Sequence, residues 1–176
     1  RYGRQAITMP RRAVLLKQPD GGWRLQKTQL SFGGGFAIVE GQFGGAAGTQ
    51  FTLSLAGMPL SLTDIAGGDL GLGGSISGIV DFRGGAGGVP TGNARVMVSG
   101  LTRSGLLLTS RPVDLALVAQ LSPTLLQLRA VLQDKGQMFG RLQARIANLP
   151  AGGALYDRLA AGDLLAQLRY VGPADA

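Results

Sequence analysis

The 176-residue chain has no cysteine, no histidine and a single glutamate, Glu40. The missing cysteines exclude a disulfide framework, a thiolate nucleophile and thiolate metal ligands. The missing histidines remove the commonest general base and the commonest nitrogen ligand of zinc. The nine aspartates are scattered. Asp20, Asp64, Asp69 and Asp134 stand at turn-like positions, where a carboxylate serves nearby backbone donors. The expectation is therefore a non-enzymatic chain, with no catalytic residues, no metal ligands and no cofactor.

The phosphate-binding loops are missing as well, although the chain carries 30 glycines. A Walker A loop ends in Gly-Lys-Ser/Thr, and none occurs. A dinucleotide fingerprint needs G-x-G-x-x-G between strand and helix, but Gly33 and Gly35 are followed by Ile38 at the third position, and Gly71 and Gly73 by Ile76. Neither run leads into a helical pattern. No G-x-S-x-G elbow gives Ser31, Ser75 or Ser104 a nucleophile context.

Long apolar runs and charge clusters are equally scarce. The uncharged stretch Gly41 to Thr63 is interrupted by glycines, polar residues and Pro59, so it reads as strands and not as a membrane helix. Lys+Arg 17 against Asp+Glu 10 gives a net +7. The cations are dispersed and lack interleaved aromatics, so they read as solvated strand faces, and no nucleic-acid partner is expected. The opening "RYGRQAITMP" has no initiator Met and no apolar signal region. It is read as internal to a longer protein, with any signal upstream.

What is present is alternation. "TQFTLSLAG" sets Phe51, Leu53 and Leu55 against Gln50, Thr52 and Ser54. "SISGIVDF" aligns Ile76, Val80 and Phe82, and "NARVMVSG" aligns Ala94, Val96 and Val98. "VDLALVAQL", "LLQLRAVLQD" and "GQMFGRLQARI" do the same with Leu115 and Leu117, with Leu128, and with Leu142. Period two over this many segments predicts half-buried strands. With "VLLK", "WRLQKTQLSF" and "FAIVEGQF", roughly ten strands in a mainly antiparallel, all-β sheet are expected. The "DKG" at Asp134 to Gly136 predicts a hairpin turn.

Three segments depart from the pattern. Met58 to Gly67 predicts a short helical turn. Residues 152–162 predict a short helix with Leu155 and Leu159 on one face and Gly162 as its C-cap. Residues 84–92, inside "GGAGGVPTGN", predict a flexible glycine-rich loop between two similar halves of one segment, 1–176. "GGFAIVEGQFGG" and "GGSISGIVDFRGG" are weakly similar, about forty residues apart, as in a sheet that grows by addition.

The oily strand faces admit two architectures. One is a sandwich core in which Trp23, Phe51, Phe82 and Met138 are simply packed, as in a structural segment of a secreted or surface adhesin with no ligand. The other is a curved sheet with an open groove, lined by Phe51, Leu53, Leu55, Ile76, Val80, Phe82, Val96, Val98, Leu115, Leu117, Leu128 and Leu142, in which acyl chains lie.

The order "LSFGGGFAIVEGQFGG", "FTLSLAGMPLSL", "LGLGGSISGIVDFRG", "RVMVSGL" and "GRLQARIANLPAGGALYDRLAAGDLLAQLRYVGPADA" resembles the central periplasmic part of the TamB family. These are translocation and assembly module proteins related to AsmA-like envelope proteins. The likeness spans nearly the whole chain and is most specific in the closing segment. It implies a β-taco-like groove in a Gram-negative periplasm, within a protein anchored to the inner membrane by regions outside this segment. It further implies that phospholipids pass along the groove between inner and outer membrane, with an Omp85-type (TamA-like) outer-membrane partner and a link to outer-membrane and autotransporter protein assembly. The family brings no catalytic or metal motif, so the groove residues rest on alternation alone.

Overall fold

The computed structural model describes residues 7–46, 48–62, 71–85, 88–104 and 111–171. Ten strands form one antiparallel sheet in strict chain order: β1 Leu15–Lys17, β2 Trp23–Phe32, β3 Gly35–Phe43, β4 Thr49–Pro59, β5 Leu72–Gly85, β6 Gly88–Arg103, β7 Val113–Leu121, β8 Leu126–Asp134, β9 Gln137–Ala147 and β10 Asp163–Tyr170. A short helix, α1 Leu155–Ala161, precedes β10. The sheet is curved and open, with β1 and β10 as its edges. It is all-β, as the alternation predicts, and among the described residues no second sheet packs on it.

Hairpin chemistry explains the meander. Gly33 and Gly34 have φ of 55° and 86°, and Lys135 and Gly136 have 48° and 82°. Two successive positive-φ residues make the tight turn whose twist matches the flanking strands. The run "FGGGFAIVEGQFGG" is thus a turn followed by β3. Gly35 has a different task, because its strand lies against the backbone of β4. A Cβ at Gly35 would collide with the Gly57 carbonyl and sit 2.7 Å from the Met58 Cα. We expect Gly35→Ala to cost about 2–4 kcal/mol through forced backbone movement. Gly34→Ala, with open space but a left-handed φ, should cost only about 1 kcal/mol. Urea midpoints of the two variants check that order.

The structure corrects two expectations. Within 84–92 the described residues are strand and not loop: β5 runs to Gly85 and β6 begins at Gly88, with Arg83 opposite Thr91 and Phe82 opposite Gly92, and residues 86 and 87 lie outside the described residues. Glycine content suggests a loop, but backbone ladder bonds need no side chain, and the pairing continues as far as Gly85 opposite Gly88. The helix is shorter than 152–162, and its C-cap Gly162 has φ −79° and ψ 164°, outside the left-handed region. Glycine saves space there, since a Cβ would stand 2.8 Å from the Leu149 side chain and overlap that of Ile146, both of which would have to shift. Of the helical turn expected over Met58 to Gly67, Met58 and Pro59 belong to β4, Leu60 and Ser61 form a turn and Leu62 is helical, and residues 63–70 lie outside the described residues.

Register shifts interrupt the ladders at Leu25/Thr28, Leu55/Met58 and Val98/Leu101. At the second, Ala56 and Gly57 face the single residue Ser77, whose Oγ accepts the Gly57 N–H at 2.9 Å. Such bulges change which parity of residue faces a given side. Met58 thereby returns to the side of Leu55 and joins Phe32 and Ala37 in a buried cluster, against which Leu30, Leu53, Leu55, Leu62 and Ile76 pack.

The segment after β9 is tied down by Arg158. This side chain is 1 % exposed. Its Nε donates to the Pro150 carbonyl, and one terminal nitrogen donates to the Pro123 carbonyl at 2.7 Å. The Leu149 N–H also reaches the Thr124 carbonyl at 3.1 Å. Helix α1 has no side-chain N-cap, and it is held instead by this grip on the turn between β7 and β8.

Candidate functional site

Residues directly opposite each other in an antiparallel pair point to the same side of the sheet. Followed strand by strand, this places all twelve alternation residues on one face. They fall on four rows that cross the strands. Phe51 and Phe82 share the first. Leu53, Val80 and Leu128 share the second, linked through Ala94 and Ala119. The third holds Leu55, Val96, Leu117 and Leu142, linked through Gly78 and Ala130. The fourth holds Ile76, Val98 and Leu115. Three intervals of two residues give these rows a depth of roughly 20 Å along the strands.

The rows contain more than alternation found. A bulge brings Met58 onto the fourth row, another sets Leu101 opposite Val113 on the same face one interval beyond it, and Leu121, Leu126 and Ile146 extend the first row beyond Phe82. Leu164, Ala166 and Leu168 of β10 prolong the first three rows. That strand alternates as clearly as its neighbours, so period two was sufficient to find it. Met138 leaves the packed set, because the ladder slips between Leu132 and Gln133. It is 54 % exposed, and Trp23 is also exposed.

The apolar face is neither dry nor bare. Of the twelve residues only Val98 is buried, and the other eleven are half-buried. Phe51 and Phe82 stack with ring centroids 5.4 Å apart, which thickens one end of the face. The second row is low where Ala94, Ala119, Ala144 and Ala166 succeed one another, with Leu128 standing between. Long aliphatic side chains of the third row border it.

The opposite face is mixed: Arg95, Arg129, Arg141, Arg145 and Arg169 are interleaved with Gln120, Gln127, Gln143 and Gln167 and with the exposed Ile79, Met97, Val118 and Leu165. A cavity of about 1200 Å³ is lined by residues of both parities near the ends of β2 to β7, among them Arg24, Glu40, Gln50, Asp81, Arg83 and Gln120. Phe51 and Phe82 are the only members of the twelve that line it. Thr52 donates to Asp81 at 2.7 Å, which fixes that carboxylate across β4 and β5. A second cavity of about 280 Å³ lies among Gln127, Arg129, Gln143 and Arg145 and touches Leu128.

Among the described residues no cluster of three acidic, histidine or cysteine side chains could hold a metal ion. Asp20 acts as its turn context suggests, accepting from the Gly22 and Ala46 N–H groups at 3.0 and 3.1 Å. Asp64 and Asp69 lie outside the described residues. No described helix is long and apolar enough to cross a membrane. No family model, curated protein or solved structure matches the chain.

Proposed function

We propose that this chain is a non-enzymatic lipid-conduit segment of a TamB-like envelope protein, shielding phospholipid acyl chains on its apolar face between inner and outer membrane. The observation that carries this reading is the half-buried state of eleven apolar residues on one face of a single open sheet. A sandwich core would have buried them under a second sheet. Each methylene moved from water onto such a surface gains up to roughly 0.8 kcal/mol. The rows cross the strands, so an extended acyl chain lying along one keeps apolar contact from strand to strand while its headgroup stays at the wet margin.

The location that goes with this reading is the periplasm of a Gram-negative bacterium, in a protein anchored to the inner membrane elsewhere in its length. The partner is an Omp85-type outer-membrane protein, engaged through other regions, with a role in outer-membrane protein assembly. No cofactor or nucleic acid takes part.

Native mass spectrometry and lipid extraction of the purified chain test the proposal. Phospholipid at about one molecule or more per chain is the expected result. A reproducibly lipid-free chain that also fails to take up phospholipid from vesicles overturns it.

A further inference from the structure

The sequence disperses its arginines singly, but strand pairing gathers four of them. On the face opposite the apolar rows, Arg95 of β6, Arg129 of β8 and Arg141 and Arg145 of β9 fall on three adjacent rows of the register. Each of these strands is paired on both sides, so the patch depends on neither edge of the sheet. Across β6 to β9 no carboxylate and no aromatic ring occupies any position of these rows. Arg95 stands opposite Ile79 and Val118, and Arg129 opposite Val118 and Gln143. Arg141 stands opposite Val131 and Arg169, and Arg145 opposite Gln127 and Leu165. A sheet surface ordinarily sets an arginine across from a carboxylate, and none of the four has one there.

We propose that this face docks on the surface of an anionic phospholipid bilayer. Arg129 lies diagonally from both Arg141 and Arg145, a spacing of about 7–8 Å in an antiparallel pair. That is within the screening length of ~8 Å at physiological salt, so the three positive fields add. Asp81 stands diagonally from Arg95 on β5, and its carboxylate already accepts from the Thr52 hydroxyl at 2.7 Å. Guanidinium groups left without carboxylate partners bind phosphate oxygens in pairs. The cavity of about 280 Å³ lies between Arg129 and Arg145, with Gln127 and Gln143 in its lining, and provides a recess for a headgroup phosphate.

The apolar members of the patch select a bilayer over other polyanions. Ile79, Met97 and Val118 are 51 %, 54 % and 49 % exposed. Ile79 and Val118 flank Arg95 across the strands, and Met97 lies two residues along from it on the same side. Aliphatic side chains set among cations enter the boundary between headgroups and acyl chains, while the guanidinium groups stay at the phosphates. A single-stranded nucleic acid would need aromatic platforms for its bases, and these rows offer none. Docking uses the face turned away from the proposed acyl-chain rows, so it is independent of what those rows carry.

In vesicle flotation the chain should rise with vesicles in which about a third of the lipid is phosphatidylglycerol, and stay behind with vesicles of phosphatidylcholine alone. Added salt should weaken this binding steeply. Arg129 and Arg145 are both exposed, so Arg129→Gln with Arg145→Gln should leave the far-UV spectrum unchanged. The pair should lower vesicle affinity on the order of twentyfold, about fivefold for each arginine. Met97→Asp should lower it about tenfold, by putting an anion where an aliphatic chain enters. Aspartates at Leu117 and Leu128, on the other face, should leave flotation unchanged, which separates this proposal from the acyl-chain reading. Equal flotation with phosphatidylcholine vesicles, a double arginine variant that floats as well as the parent, or retention of a short DNA duplex in place of the vesicles would each overturn the proposal.

Discussion

Replacing both Leu117 and Leu128 with aspartate is expected to reduce co-purifying phospholipid by about tenfold or more, equivalent to at least ~1.4 kcal/mol of lost affinity. The two residues sit on adjacent rows of the apolar face, and both are half-buried. Their carboxylates remain reachable by water, so the fold tolerates them, while an acyl chain crossing that part of the face loses apolar contact and meets two charges. Val98→Asp is a poor test, because Val98 is only 7 % exposed and an unpaired charge there would destabilise the sheet itself. Val118→Asp is the control. Val118 is the next residue in β7, faces the other way and is 49 % exposed, so that variant should keep its lipid. Lipid-to-protein ratios measured beside far-UV spectra decide the matter. Equal lipid in the double variant and the control would count decisively against a lipid-bearing face.

Arg158→Ala should destabilise the fold by about 3–5 kcal/mol, an unusually large effect for the loss of one charged side chain. The side chain is fully buried and donates to two carbonyls, from Pro150 and Pro123, that belong to different turns. Truncation leaves both acceptors unpartnered and opens a cavity beneath α1. For a chain of this length the melting temperature should fall by roughly 10 °C. Arg158→Lys should recover only part of the loss, because a single ammonium cannot reproduce the planar geometry that serves both acceptors. Thermal melts of the two variants check the order, and an Arg158→Ala protein as stable as the parent would show the grip to be dispensable.

How much of this was legible depended on local regularity. β7 and β8 pair without a register shift, so Leu115 and Leu117 declare their face in the sequence, as does Leu128. β4 does so only up to Leu55, because the bulge at Ala56 and Gly57 is a backbone event with no fixed sequence signature beyond a glycine. The strand ends at Gly84, Gly85 and Gly88 to Gly92 are not legible, because glycine reports conformational permission and not conformation. Arg158 was invisible: an arginine on a short amphipathic helix looks solvated, and only the crossing of two distant turns buries it. The twelve-residue face was readable because a meander preserves parity from one strand to the next. The polar cavity among Arg24, Glu40, Asp81 and Arg83 was not, because its lining is drawn from strands far apart in the sequence.

The bulges in β2, β4 and β6 have a consequence best put in terms of reading frames. Between bulges the sheet reads its chain two residues at a time, and one inserted residue would exchange the oily and wet sides of everything downstream to the next turn. A bulge is a frame-restoring insertion already absorbed by the backbone. Insertions or deletions beside Gly57 or Gly100 can therefore be accommodated by forming or erasing a bulge, whereas the same change in the middle of β7 has no such outlet. A sheet built this way can vary in length by single residues at a few prepared points while its apolar rows stay continuous.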